Sequence, residues 1–155
     1  MREAGCGMRD AKKKGIVRRA LMSRVSVVAR IQMRMGRPNV GKSYSDLRVW
    51  NTAISLALEV YRITEAFPSA ERFGLTAQLR RAAVSVPSNI AEGHARSTRG
   101  EYKNCLSVAR GSVAEVEVQL TLARALGYVQ SPDLAKPLDY CDAISRMITN
   151  LKHAL

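Results

Sequence analysis

The sequence predicts an all-α protein: an antiparallel up-down-up-down four-helix bundle with a basic N-terminal extension. Three observations predict it. From residue 45 onward, apolar residues recur at helical spacing in four successive segments. Short connections carrying caps, prolines and a glycine stop join those segments, as antiparallel neighbours require. The charge also changes at the same boundary. Of the net +12 on 155 residues, residues 1–42 hold +10 and residues 43–155 only +2. The chain therefore divides into an extension, 1–43, and a bundle domain, 44–155.

The extension has poor periodicity. A patch from Arg18 to Met35 reads as a basic amphipathic helix, or as a segment that orders only on a partner. Met33 and Met35 are alternative starts, and a start at Met35 would leave a compact, near-neutral domain. A basic arm suits RNA, DNA or an anionic surface, and the plainer alternative is a solubilising tail. The run Val25-Ser26-Val27-Val28-Ala29 is too short for a signal core or a membrane span, so no membrane association is expected. Cys6, Cys105 and Cys141 are odd in number and far apart, which fits neither a zinc site nor a disulfide framework and suits a reducing cytoplasm.

Gly36-Arg37-Pro38-Asn39-Val40-Gly41-Lys42-Ser43 matches the phosphate-cradling pattern GxxxxGK[ST]. In that chemistry Lys42 would reach the outer oxygens and Ser43 would hold magnesium. The context argues against it. The motif needs a parallel strand before it, and neither DxxG nor NKxD occurs in the chain.

The first helix is expected to open at Ser45 as N-cap, with Asp46 in its first turn, and to end at Phe67-Pro68. It carries two apolar stripes: Leu47, Trp50, Ile54, Ala57/Leu58 and Tyr61, and Val49, Ala53, Leu56, Val60 and Ile63. A bundle core needs one stripe. The outward set Val49, Leu56, Val60 and Ile63 is therefore expected to form a subunit interface.

The second helix is expected from a Ser69 cap to about Ala95. Leu79, Ala82, Ala83, Val86, Ile90 and Gly93 fall on one face, small enough for close helix approach. Arg81, Ser85, Ser88, Asn89, Glu92 and Arg96 form a polar stripe. Pro87 lies inside this pattern and should kink or restart the helix. A polar stripe beside a proline is either a binding site or a means of satisfying freed carbonyls.

Thr98-Arg99-Gly100-Glu101 is a capping box that opens the third helix. Tyr102, Leu106, Ala109, Val113, Val116, Leu120 and Ala123 form its core stripe, and Leu126-Gly127 stops it. Gly111 falls mid-helix, where close helix packing would explain it. Ser131-Pro132-Asp133 restarts the chain with a cap and a proline. Leu134, Leu138, Cys141, Ile144, Ile148, Leu151 and Leu155 form the last stripe, with Pro137 positioned to delay or bend the first turn.

The sequence gives little support to catalysis. His94 and His153 have no His or Cys at metal-ligand spacing, and no Glu-x-x-His occurs. Glu115 and Glu117 face different ways, and Ser85 and Ser88 lack a histidine for a triad. No cofactor or metal is expected. The nucleic-acid candidates are Arg80, Arg81, Arg96, Arg99, Lys103 and Arg110, around the second helix, the turn and the early third helix. The bland reading is a solvated, salt-bridged face. Aromatics do not alternate with these charges, so base stacking is not expected.

The stretches Ser45-Asp46-Leu47-Arg48-Val49-Trp50, Gly74 to Gly93, and Ala109-Arg110-Gly111-Ser112 with Glu115 resemble the four-helix-bundle proteins encoded in 23S ribosomal RNA intervening sequences. That group includes the accessory protein of diversity-generating retroelements. The resemblance covers about residues 44–155. It implies a small cytoplasmic bundle that assembles as a homopentamer and has no catalysis of its own. It also implies binding to nucleic acid and to a partner protein such as a reverse transcriptase. Residues 1–43 match nothing in the pattern, and His94 stands where the family usually has an aromatic.

Three readings follow. The first is a non-enzymatic, homo-oligomeric bundle that binds RNA or DNA. The second is a protein–protein scaffold without nucleic-acid binding. The third, a nucleotide-binding loop at 36–43, has the least behind it.

Overall fold

The computed structural model describes residues 43–155. The expected basic helix within residues 18–35 and the motif residues 36–42 lie outside them. Four helices fill the described chain: α1 (Arg48–Thr64), α2 (Leu75–Ala95), α3 (Arg99–Ala125) and α4 (Ser131–Ala154). Short 3-10 turns at Tyr44–Asp46 and Ser69–Arg72 precede α1 and α2. Among the described residues there is no strand.

The helix ends follow their local partners, and several differ from the expected ones. Ser43, not Ser45, provides the first cap. Its hydroxyl accepts from the Ser45 N–H, and its own N–H donates to Asp46 Oδ2 at 3.1 Å. That box closes the small turn, and α1 begins only at Arg48. Ser69 likewise opens a turn rather than α2. Gly74 separates the two, and Glu71 Oε2 takes the Leu75 N–H at 2.8 Å, doing the work of a cap from four residues back. Glu71 Oε1 accepts from the Tyr128 hydroxyl at 3.1 Å, and that bond pushes the Tyr128 pKa up. Thr98 caps α3 as expected, its Oγ1 accepting the Glu101 N–H at 3.2 Å, but the Glu101 carboxylate takes the Thr98 hydroxyl at 2.7 Å rather than the Thr98 N–H, so only half of the expected box is formed. The stop at Gly127 has a φ of 76°, where a side chain would be strained. Tyr128 N–H donates to the Ala123 carbonyl and Gly127 N–H to that of Arg124, the paired bonds of a Schellman ending. At α4 the cap falls on Gln130, with Ser131 the first helical residue.

Neither internal proline breaks its helix. α2 runs unbroken through Pro87, and α4 is continuous through Pro137 from Ser131. Side chains donate to carbonyls in the turn before Pro87. Ser88 Oγ donates to the Val84 carbonyl at 2.9 Å, and Asn89 Nδ2 to that of Ser85 at 2.8 Å. The polar stripe of α2 thus supports the backbone beside the proline. Asn89 Nδ2 also reaches Ser85 Oγ, which meets Ser112 Oγ of α3 at 2.9 Å.

α1 packs on α2 and α4, and α3 packs on the same two. The diagonal pairs make no close backbone approach, so the four helices form a ring of neighbours around one core. The expected core stripes supply that core: Leu79, Val86 and Ile90 of α2, Leu106, Val113, Val116 and Leu120 of α3, and Cys141, Ile144 and Ile148 of α4 are fully buried. Burying each large side chain stabilises the fold by roughly 1.5–3 kcal/mol.

Two expectations are overturned. Leu56 and Val60 are 0% exposed and Val49 and Ile63 are 5% exposed, so the set assigned to a subunit interface lies inside the single chain. The reason is that α1 has two neighbours in its own bundle, and a helix with two neighbours needs both stripes. What α1 leaves outside is Leu58 and Tyr61. Gly111, assigned to close packing, is exposed, and a Cβ there would meet nothing within 4 Å. The close approach occurs at Gly93 instead, against Tyr102 and Cys105 of α3.

Candidate nucleic-acid interface

The six candidate cations do not gather into one patch. Arg80 and Arg96 are sixteen residues apart on α2, about 24 Å along its axis. Arg80 is committed to the fold. Its Nε donates to Thr64 Oγ1 at 2.8 Å, and its guanidinium lies over the Tyr61 ring at 4.6 Å, tying α2 to α1. Arg81 is exposed and takes no part in the described ion pairs.

Arg96 is held at the α2–α3 turn by Glu92, one helical turn back, and by Glu101 at 3.9 Å. These acids compensate its charge and raise its already high pKa, the Glu92 hydrogen bond first among the causes. Arg99 Nη1 donates to the Leu155 carbonyl at 3.2 Å. Lys103 is half-buried and Arg110 exposed, and neither joins a described ion pair.

Arg110 opens onto a groove of about 710 Å3 between α3 and α4. Ser107, Arg110, Gly111, Ala114 and Glu117 line it from α3, and Ser145, Arg146, Thr149 and Asn150 from α4. Lys152 Nζ donates to Ser107 Oγ at 2.7 Å near one end, and Ser107 in turn donates to the Lys103 carbonyl. The α4 residues were not among those expected from the sequence. Their signal was there, because Arg146 and Asn150 are four residues apart and flank the apolar stripe of Ile144 and Ile148.

At the C-terminal end of α2, His94 sits edge-on between Tyr44 (6.4 Å) and Tyr102 (6.1 Å), with Trp50 against Tyr44 at 5.3 Å. His94 thus takes a ring's place in an aromatic cluster. The Tyr102 hydroxyl is buried without a hydrogen-bond partner, and burial pushes its pKa up. Among the described residues no three His, Cys, Asp or Glu side chains are grouped to hold a metal. Cys105 and Cys141 are free thiols, and burial, with Glu117 and Asp142 adding to it, pushes Cys141 up to about 12. Cys6 lies outside the described residues. Ser43, whose hydroxyl the nucleotide-binding motif would give to magnesium, here caps the Tyr44–Asp46 turn. No described helix is long and apolar enough to cross a membrane.

A search of curated proteins gives no match. Among solved structures, the chain is similar to a protein of unknown function from the S23 ribosomal protein family of Bacteroides thetaiotaomicron. The TM-score is 0.63 at 18% identity, over 68% of this chain and 95% of that one, which is a likeness of fold. The family model for the 23S rRNA-intervening sequence protein matches residues 45–150, which span all of α1, α2 and α3 and most of α4. The chain belongs to the 23S rRNA-intervening sequence protein family.

Proposed function

We propose that this protein is a non-enzymatic, homo-oligomeric accessory protein of the cytoplasm that binds RNA or DNA through one end of an antiparallel up-down-up-down bundle. The cross-helix contacts support that arrangement. Gly93 lies by Cys105 and Ser85 by Ser112, the order of contacts that opposite senses of α2 and α3 would give. Arg80 on Thr64, Lys136 on Glu59 and Lys152 on Ser107 fit the same sense for the other pairs.

The observation that carries the reading is the division of charge this topology implies. The half holding residues 43–56, 86–112 and 144–155 has seven Lys/Arg against three Asp/Glu. The other half has six against eight. The near-neutral +2 of the domain thus hides a basic end and an acidic end. Residue 43, which joins the +10 extension in sequence, belongs to the basic half. Such a field draws polyanions and repels them from the opposite end. The test is RNA binding across a salt series. Affinity should fall steeply as salt rises, and charge reversal at Lys103 and Arg110 should weaken it while reversal at Arg72 and Arg124 should not. Binding that ignores salt, or equal losses from both pairs, would remove the basis for this reading.

Self-association has a different support. Val108, Val118, Leu122 and Leu126 are all exposed along the outer side of α3, with Gly111 between them. A second copy is the proposed occupant, and a pentamer is the number the resemblance implies. The same strip also suits a protein scaffold, with a reverse transcriptase as the partner the resemblance implies. That second reading gains if the strip binds protein and the full chain shows no salt-sensitive RNA binding.

A further inference from the structure

The groove between α3 and α4 has a composition that the bundle itself does not use. Arg110 enters it from one helix and Arg146 from the other, and both side chains are exposed. Lys152 stands beside it with its ammonium on a neutral partner, the Ser107 hydroxyl. The described ion pairs consume Arg62, Arg96 and Lys136, and none includes these three cations. The single acid lining the groove, Glu117, is seven residues from Arg110, about 10 Å along α3. A row of cations around one carboxylate-free stretch repels itself unless an anion fills it.

Shape narrows the anion. From Ser107 to Glu117 the groove runs about 15 Å along α3. Packed helices are about 8–10 Å apart between axes, so their seam is a single surface furrow that tracks one strand, and a duplex could lay only one of its two backbones along it. Gly111 on its wall adds no side chain, and a Cβ there would meet nothing within 4 Å. No aromatic residue lines it, so bases have nothing to stack on.

We infer that the α3–α4 groove holds the phosphodiester backbone of a single strand, with Arg110, Arg146 and Lys152 on successive phosphates and the Asn150 amide as a neutral donor. This rests on the nucleic-acid reading above and names where and what that reading binds. Recognition is through the backbone alone, so it is indifferent to sequence and to the sugar.

The test uses the full chain and four labelled probes in a salt series: oligouridylate, oligoadenylate and oligothymidylate of about twenty nucleotides, and an RNA duplex of equal length. The three single strands should bind alike and the duplex more weakly. Each lost phosphate contact on a single strand lowers the log–log salt slope by about 0.7. The double variant Arg110→Ala/Arg146→Ala should therefore lose about 1.4 from the slope and weaken binding about tenfold at about 0.15 M salt. Arg110→Lys/Arg146→Lys should retain most of the slope. Both sites are exposed, and an unchanged helical melting curve will show that the fold is intact.

Three results would overturn the inference. One is a double Ala variant with an unchanged slope while Lys12→Ala/Lys13→Ala/Lys14→Ala abolishes binding. That would leave the protein a nucleic-acid binder and move the site to the extension. Another is a duplex that binds as tightly as the single strands, or binding confined to one sugar or one base. The third is no binding of any probe, which would remove the nucleic-acid reading along with the groove.

Discussion

A methyl group added at Gly93 would sit 2.7 Å from Tyr102 Cδ2 and 2.8 Å from Cys105 Cβ. Cys105 Cβ is attached to the α3 backbone and cannot swing aside, so relief would require α2 and α3 to part. Gly93→Ala is therefore expected to destabilise the fold by roughly 1–3 kcal/mol through overpacking. Gly111→Ala should act in the opposite direction, gaining about 1 kcal/mol of helix propensity with nothing to strike. Urea unfolding of the two variants checks both signs. The sequence placed Gly93 correctly because it falls in register with Leu79, Val86 and Ile90. It misplaced Gly111 because periodicity gives a residue's direction and not the distance to whatever lies there. Cys141 gives a prediction in pH. Its folded pKa, about 12, lies above the ordinary thiol value. The folded state therefore holds its proton more tightly than the unfolded one. Its contribution to stability is complete below about pH 9 and is lost as pH climbs from there toward 12. At neutral pH Cys141 should resist iodoacetamide until the protein is unfolded with urea, as mass spectrometry of the labelled peptide would report. Labelling in the native state at the rate of a free thiol would contradict its burial.

α2 is the element whose behaviour the sequence described least well. The pattern from Leu79 to Gly93 fixed its buried face, and of the kink or restart expected at Pro87 the restart is absent, since one helix runs through it. The proline removes one N–H, and the turn before it is supported by donors from Ser88 and Asn89. A local rule for proline does not include side chains one and two residues later. The two donors differ in weight. Ser88 is exposed and competes with water, so Ser88→Ala should change stability by no more than about 0.5 kcal/mol. Asn89 is half-buried and bonds both the Ser85 carbonyl and the Ser85 hydroxyl, which bridges to Ser112. Asn89→Ala should cost about 1–2 kcal/mol by thermal or urea melting. Equal effects would mean that the bridge to α3 carries no weight. The caps were legible where one residue type does the work, as at Thr98 and Gly127. They were not where Glu71 reaches forward from a separate turn, because that bond depends on how the chain folds back between 69 and 75.

For the molecule as a whole, the sequence was right about four helices and wrong about which apolar surface is left over. It counted stripes on α1 and took one as surplus. The count fails because each helix in a ring of four touches two others, and α1 needs both stripes for α2 and α4. The surplus lies on α3, where Val118 is 68% and Leu122 47% exposed. The double change Val118→Glu/Leu122→Glu should therefore lower the mass seen by light scattering while leaving the helical signal intact. An unchanged mass would remove α3 as the self-contact. Spacing did not tell which candidate cations the fold employs: Lys103 and Arg110 join no described ion pair, whereas Arg80 is spent on Thr64 and Tyr61. Arg146, which lines the same groove as Arg110, and Lys152, which bonds Ser107, come to α3 across a helix pair, a closeness that spacing along one segment cannot express.

The Glu71 carboxylate has a consequence at this same scale. One of its oxygens holds the first amide of α2 and the other holds Tyr128 in the α3–α4 connection, with Phe67 against the Tyr128 ring at 5.7 Å. Two of the three inter-helix connections are thus fastened by one side chain, and neither can fray alone. The amides of Leu75 and Tyr128 should exchange with solvent deuterium as a single opening unit, and Glu71→Ala should speed both together. A protease that cuts either connection would then find the other already loosened.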